Sequence, residues 1–177
     1  IKGVLWAFEK KEMVLPFGMD LLLLGDLPSG AGLSSSASLE VLIGFIMRDL
    51  YGFDVTNVDL ALIGQQAEHE FCGVNCGIMD QFAVAMGKKD HALLLNTKTL
   101  DYEYIPITLC GVKLIIANSN KKHKLGESKY NERREECETA LEEISQAIGI
   151  HALCDLDEKT WNLYQVMVKD DDRKRRV

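Results

Sequence analysis

The stretch that decides the fold is Pro28-Ser-Gly-Ala-Gly-Leu-Ser-Ser-Ser-Ala37. It follows an apolar run at residues 20–27, which we interpret as a buried strand, and it precedes a helical pattern that begins at Ser34. Its glycines permit backbone angles that gather several N–H groups into one concavity, and the start of the helix adds free N–H groups and the positive end of a dipole. Such a place favours the phosphates of an anionic ligand.

The residues alone leave a second interpretation of this stretch open, namely a tight turn before a serine-capped helix. The stretch is not a Walker A sequence, because no Gly-Lys-Ser/Thr follows the glycines. It also departs from the Gly-x-Gly-x-x-Gly dinucleotide pattern, because Ser35 stands where the third glycine would be.

Working outward, apolar residues at helical spacing predict a helix that runs to about Tyr51 and ends at Gly52. Thr56 with Asp59 predicts the capped start of a second helix, which ends near Gly73. Further helices are predicted at residues 1–9, 78–86, 128–148 and 155–168, and strands at 91–96, 102–107 and 112–118, the last being the clearest. Because strands and helices mix without regular alternation, we expect an α+β fold, with a domain boundary between residues 110 and 111.

Composition excludes several classes of function. The 177 residues are 47% hydrophobic and 27% charged, as in an ordinary soluble protein. A net charge of -7 repels phosphate-rich surfaces, so we expect neither a nucleic acid nor a membrane as partner. The odd count of five cysteines predicts a reducing cytoplasm rather than a disulfide framework. His69, Cys72 and Cys76 lack a fourth ligand, so we favour small buried thiols over a zinc site.

Several motifs in order carry a resemblance to a known family. The stretch at 28–37 resembles the second motif of the GHMP small-molecule kinases, and its triple serine favours the galactokinase branch. Further similar segments follow in the family's order: Gln66-Ala-Glu-His69, Asn75-Cys-Gly-Ile-Met-Asp-Gln81, Gly87-Lys-Lys-Asp-His-Ala-Leu-Leu94, Asn118-Ser-Asn120 and Tyr130-Asn-Glu-Arg-Arg134. The similarity covers nearly the whole chain.

The resemblance implies a set of site residues. The phosphates of ATP would lie against Pro28, Gly30, Ala31, Gly32, Leu33, Ser34, Ser35, Ser36 and Ala37. Ser36 and Glu68 would hold Mg²⁺, and Asp80 would be the catalytic residue. Gly77, Asp80 and Tyr130 would contact galactose. Without the family, Glu68 is equally typical of a solvated helix face, Asp80 of an ordinary first-turn aspartate, and Tyr130 of a tyrosine at a helix start.

The resemblance also implies a reaction, in which ATP phosphorylates the anomeric hydroxyl of galactose. Two alternatives stay open. The first is a non-catalytic sugar sensor, whose relatives lack two residues in the serine loop, whereas Ser36 and Ala37 are present here. The second is an N-acetylgalactosamine kinase, whose counterpart of residues 76–80 is richer in glycine.

The resemblance finally implies the architecture of a GHMP kinase in part. Residues 1–110 would belong to the N-terminal, ATP-binding domain, which resembles the second domain of a ribosomal protein, and residues 111–177 would begin a ferredoxin-like C-terminal domain. The family's N-terminal signature and its C-terminal glycine-rich motif do not occur within these residues. We therefore expect this chain by itself to lack kinase activity and to self-associate through exposed sheet edges.

Overall fold

A computed structural model describes residues 1–28, 31–118 and 129–177. The chain divides into two compact units, residues 1–125 and residues 126–177. In its described part, the first unit combines helices with a small antiparallel sheet, and the second is helical. The predicted α+β class is thus confirmed, whereas the predicted domain boundary between residues 110 and 111 stays a prediction.

The elements of the first unit are α1 (Lys2–Lys10), α2 (Ser35–Tyr51), α3 (Asn57–Gln66), a π-helical turn (Ala67–Phe71), α4 (Met79–Met86), β1 (His91–Leu95) and β2 (Tyr102–Pro106). Those of the second unit are α5 (Lys129–Ser145), a 3-10 turn (Leu153–Asp155), α6 (Glu158–Tyr164), a second 3-10 turn (Gln165–Met167) and α7 (Asp171–Lys174). None of the helices in the described ranges combines the length and apolar character that crossing a bilayer requires.

The ends of the helices that surround the glycine-serine stretch follow the sequence signals. Helix α2 begins at Ser35 and ends at Gly52, whose φ of 69° is left-handed and suits a glycine. Helix α3 begins with the predicted capping box, because the Thr56 hydroxyl accepts from the Asp59 N–H and the Asp59 carboxylate accepts from the Thr56 N–H. These caps fix where the two helices start and stop.

The main core of the first unit lies between α1, α2 and α3. Phe8, Ile43 and Met47 are fully buried there, and Leu60 and Ile63 from α3 complete the cluster. The Phe53 ring packs on Phe8 with their centroids 5.5 Å apart. Close packing of this kind makes the three helices one support for the segments at their ends.

A second cluster attaches the sheet to α4. Strands β1 and β2 pair antiparallel, with Leu93 opposite Tyr104 and Leu95 opposite Tyr102. Leu93 and Leu95 pack against the fully buried Phe82 of α4. The hairpin therefore covers the side of α4 that carries Phe82.

Two of the predicted strands are wrong. Residues 20–27 and 112–118 form no strand, and Leu22, Leu24 and Ile115 are 86%, 86% and 84% exposed. A strand satisfies its backbone groups only by pairing with a neighbour. Within the described residues the sheet contains β1 and β2 alone, so neither segment is paired into it.

A small hydrophobic cluster and ion pairs stabilise the second unit. Ala140, Ile144 and Val168 are buried between α5 and the segment that follows α6. Arg173 donates to Glu143 at 2.9 Å and thereby ties α7 to α5. The helix predicted at 155–168 is shorter than expected, because α6 ends at Tyr164 and a 3-10 turn replaces its last turn.

Candidate active site

The glycine-serine stretch forms a tight approach to the start of α2. Gly32 has a φ of 73° and Ser34 a φ of 53°, and the left-handed region is unusual for a serine, at a cost of about 1–2 kcal/mol. The first bond of the described helix runs from the Ser38 N–H to the Ser34 carbonyl at 2.9 Å. The N–H groups of residues 35–37 precede that bond, so they are available to an outside acceptor at the positive end of the helix.

The residues of this stretch become more buried toward α2. Pro28 and Gly32 are exposed, Ala37 is buried, and the residues between Gly32 and Ala37 are half-buried, as is Ala31. Ser29 and Gly30 lie outside the described residues, as do Ser119 and Asn120 of the later family motif. The alternative interpretation, a serine-capped helix, does not hold at the N-cap residue, because the Ser34 side chain makes no capping hydrogen bond.

A π-helical turn carries Glu68. After α3 the helix widens at Ala67–Phe71, and the Cys72 N–H donates to the Ala67 carbonyl at 3.1 Å. Single π turns of this kind are rare and occur frequently at functional sites. Glu68 is only 6% exposed, so the interpretation as a solvated helix face is wrong.

Buried Glu40 connects α2, the π-helical turn and α4, which carry the predicted residues Ser36, Glu68 and Asp80. It lies four residues after Ser36 on α2, and residues at that spacing share a helix face. The Gln81 amide of α4 donates to the Glu40 carboxyl at 3.0 Å, and the Glu68 side chain also hydrogen-bonds to it. The start of α2, the π-helical turn and the start of α4 are thereby brought together.

Burial dominates the electrostatics of this cluster. It raises the pKa of Glu40 to about 8, helped by the hydrogen bond and the negative charge of Glu68 and opposed by the hydrogen bond from Gln81. The burial thus favours the neutral form of Glu40, which lessens the repulsion between the two carboxyl groups. Among the described residues, the Gln81 side-chain oxygen is buried without a hydrogen-bond partner.

Sequence reasoning missed Glu40 and Gln81. The available signal was the position of Glu40 on the inward stripe of α2, three residues before Ile43 and seven before Met47, both fully buried. A carboxyl group on such a stripe is uncommon unless it is paired. Gln81 ends the family motif at residues 75–81, but nothing in the sequence indicated a role for it.

The predicted sugar contacts lie in different units. Asp80 is half-buried in the first turn of α4, beside Gln81. Gly77 is exposed just before this helix, and a Cβ added there would meet no atom within 4 Å, so the surface next to it is open. Tyr130 is exposed at the start of α5, in the second unit.

The loop between the π-helical turn and α4 is held at Cys76. Its carbonyl accepts hydrogen bonds from the His69 imidazole and from the Gln65 amide, the latter at 3.3 Å. Burial raises the pKa of the Cys76 thiol to about 11, and the charge of Glu68 adds to the effect.

Cys72 is exposed rather than buried as predicted. In the ranges that the structure describes, no group of three or more His, Cys, Asp or Glu side chains is placed to hold a metal ion.

Comparison with known proteins identifies the family. Residues 1–88 match the model described as the GHMP kinases N terminal domain. Galactokinases from Streptococcus suis, Clostridium beijerinckii and Bacillus subtilis are 47%, 48% and 44% identical to the chain over 176 residues. Each alignment covers 99% of this chain and 45% of the relative, so the chain spans less than half the length of these proteins.

A solved structure supports the same assignment. The crystal structure of Lactococcus lactis galactokinase complexed with galactose matches with a TM-score of 0.93 and 36% sequence identity, covering 99% of this chain and 45% of that one. The chain belongs to the GHMP kinase family. Within that family, the proteins that it resembles along almost its whole length are galactokinases.

Proposed function

We propose that the full-length protein that contains this chain transfers the γ-phosphate of ATP to the anomeric hydroxyl of galactose and so forms galactose 1-phosphate and ADP, whereas the 177 residues by themselves lack this activity. The observation that carries the proposal is the buried cluster around Glu40. This cluster connects α2, whose first turn is proposed to bind phosphate, with the π-helical turn that carries Glu68 and with α4, whose first turn carries Asp80. The similarity to a galactokinase solved with galactose supports the choice of sugar.

In this reaction residues 28–37 bind the triphosphate of ATP. The N–H groups of residues 35–37 at the open end of α2 donate to its oxygens, and the helix dipole favours its negative charge. The left-handed backbone at Gly32 and Ser34 turns the stretch into the helix, as a nest for an anion requires.

Mg²⁺ fits the residues that the cluster brings together. Ser36 offers a hydroxyl and Glu68 a carboxylate, and both are hard oxygen donors. Glu40 links them, because it shares a helix face with Ser36 and is hydrogen-bonded to Glu68. Mg²⁺ keeps several waters and nucleotide phosphate oxygens as ligands, so two protein donors suffice. When bound, the ion supplies neutralisation of phosphate charge.

Asp80 acts on the sugar. Its carboxylate accepts a hydrogen bond from the anomeric hydroxyl and takes the proton as the hydroxyl oxygen bonds to the γ-phosphorus and the bond to the ADP oxygen breaks. Because phosphoryl transfer is loose, orientation of the hydroxyl matters as much as removal of the proton. The open surface at Gly77 leaves space for the sugar. The family motif alone assigns a further sugar contact to Tyr130.

The test is a coupled assay with MgATP and galactose on the protein expressed from the complete gene. Asp80→Asn should lower kcat by about 10²–10⁴-fold, because the base is lost while the shape is kept. Asp49→Asn is the matched control, since Asp49 is exposed on α2 and pairs with Arg48. Equal activity in the two variants, or a wild-type protein that phosphorylates no galactose, would refute the proposal.

Three further predictions belong to this proposal. Residues 1–110 and 111–177 are assigned to the N-terminal and C-terminal domains of the family. The five cysteines are free, which fits a reducing compartment such as the cytoplasm. The chain is expected to self-associate through residues 20–24 and 112–116, where Leu22, Leu24 and Ile115 are more than four-fifths exposed. Sedimentation should show a smaller species for Ile115→Asp than for wild type, and identical distributions would refute the expectation of self-association.

A further inference from the structure

The hydrogen bond between Gln81 and Glu40 is buried and bridges two distant helices. Its donor and acceptor are 3.0 Å apart and 41 residues apart in sequence. Gln81 is 2% exposed and Glu40 is 9% exposed. The bond is thus a fixed connection between α2 and α4 rather than a surface contact.

The bridge lies in a slot that α3 closes. A Cβ added to Gly64 would lie 3.1 Å from the Gln81 Cγ and 3.4 Å from the Glu40 Cβ. Only a glycine at this point of α3 lets the two side chains pass so close to its backbone. The bridge therefore has little room to move, and its geometry is set from three sides.

Two polar side chains in this place are costly, which calls for an explanation other than stability. A buried amide or carboxyl group loses its hydration and regains only part of that free energy through a hydrogen bond. An apolar pair would fill the slot without that cost. A directional bond does what apolar contact does not, since it fixes how far one helix is rotated and shifted against the other.

The position of Gln81 in the chain says what is fixed. It follows Asp80 directly in the first turn of α4, whereas Glu40 lies one turn beyond Ser36 on α2. Loss of the bridge frees the first turn of α4 to shift relative to the start of α2. A displacement of about 1 Å at a reacting group costs roughly 10²-fold in rate.

We propose that Glu40 and Gln81 are positioning residues, whose buried hydrogen bond holds the first turn of α4 against α2 and so fixes the distance between Asp80 and the phosphate bound by residues 28–37. This inference rests on the proposed function and adds to it two residues that touch neither substrate. Glu68 is connected to the same bridge through its hydrogen bond to Glu40. One cluster therefore fixes the positions of both the Glu68 carboxylate and the first turn of α4.

The test compares single variants with an exchanged pair in the protein expressed from the complete gene. Gln81→Leu and Glu40→Leu remove the bridge and should lower kcat about 10–100-fold. In Gln81→Leu, which leaves the contact between Glu40 and Glu68 in place, the KM for ATP should change less than about 3-fold. The double variant Glu40→Gln with Gln81→Glu exchanges the two groups and lets the amide donate in the reverse direction. It should recover kcat to within about 3-fold of wild type.

A stability control and a second readout separate positioning from simple destabilisation. Thr56→Ala removes a cap at the start of α3 and should lower the melting temperature without changing kcat. Hydrogen exchange, followed in the protein without ligands, should accelerate at residues 79–82 in Gln81→Leu but not in Thr56→Ala.

The outcomes are distinguishable. An active wild type whose leucine variants keep kcat, or whose exchanged pair is no better than the single variants, would overturn this inference alone. Unchanged exchange at residues 79–82 in Gln81→Leu would also overturn it. A wild type that phosphorylates no galactose would overturn the proposed function together with the catalytic part of the inference.

Discussion

The helices α1 to α4 and the segments 20–27 and 112–118 are both rich in apolar residues, yet only the helices bury them. Phe8 and Ile43 are fully buried, whereas Leu24 and Ile115 are 86% and 84% exposed. A helix satisfies its own backbone groups and needs only one apolar stripe to pack. A strand depends on a partner from elsewhere in the chain, so the same apolar content is not sufficient to bury it.

The segment at 20–24 nevertheless keeps the periodicity of a strand. Leu21 and Leu23 are 39% and 38% exposed, and the two leucines that alternate with them, Leu22 and Leu24, are both 86% exposed. Alternation with period two is the side-chain pattern of extended backbone. The segment has the side-chain alternation of a strand without the hydrogen bonds of one.

The largest effect is expected from matched isoleucine variants in the two regions. Ile43→Ala should lower the free energy of unfolding by about 2–5 kcal/mol, because it opens a cavity between packed helices. Ile115→Ala should change it by less than about 0.5 kcal/mol at a concentration at which the chain is monomeric, because that side chain is then largely in solvent. Urea unfolding of the two variants and wild type measures both values. Equal losses would mean that residue 115 is buried and that the comparison of the regions fails.

A smaller difference is expected between the reactivity of Cys76, in the loop before α4, and that of Cys110, just before the segment at 112–118. Since burial raises the pKa of Cys76 to about 11, only about 0.1% of this thiol is ionised at pH 8. The thiolate is the reactive form, so iodoacetamide should modify Cys76 roughly 100-fold more slowly than Cys110, which is exposed before the segment at 112–118. Peptide mass spectrometry over time measures the two rates. The rate at Cys76 should rise tenfold per pH unit up to about pH 11, and comparable rates at pH 8 would contradict the burial of the loop at this residue.

The smallest effect is expected at a helix cap. Thr56→Ala should lower the free energy of unfolding by about 1 kcal/mol, whereas Thr56→Ser keeps the hydroxyl and should cost much less. The bonds from Thr56 lower the pKa of Asp59, so the ionised carboxylate stabilises the folded chain above the ordinary pKa. That contribution is lost as the pH falls through the lowered pKa. The difference between wild type and Thr56→Ala should therefore shrink in acid, and a constant difference would mean that Asp59 takes no part in the cap.

Local signals predicted the helices well, because their evidence lies within a few residues. The left-handed end at Gly52, the capping box at Thr56 and the strands predicted at 91–96 and 102–107 all follow from neighbouring positions, whereas the pairing of the two strands is a finding of the structure. The strands at 20–27 and 112–118 were wrong because their formation depends on distant residues. Apolar pattern alone carries no information about a partner.

The candidate site divides in the same way. Family motifs predicted its residues in order along the chain, and they also indicated a role for Glu68, whose burial the structure adds. The pairing of Glu40 with Gln81 joins residues 41 positions apart, and no local pattern predicts such a contact. The roles assigned to Ser36, Asp80 and Tyr130 remain predictions, which the variants above and the following measurement test.

The most direct measurement is a crystal structure of the protein from the complete gene with Mg²⁺, a non-hydrolysable ATP analogue and galactose. The account predicts the triphosphate against the N–H groups of residues 35–37, and the anomeric hydroxyl within about 2.6–3.2 Å of an Asp80 carboxylate oxygen. A triphosphate bound elsewhere, or an Asp80 carboxylate turned away from the sugar, would contradict it.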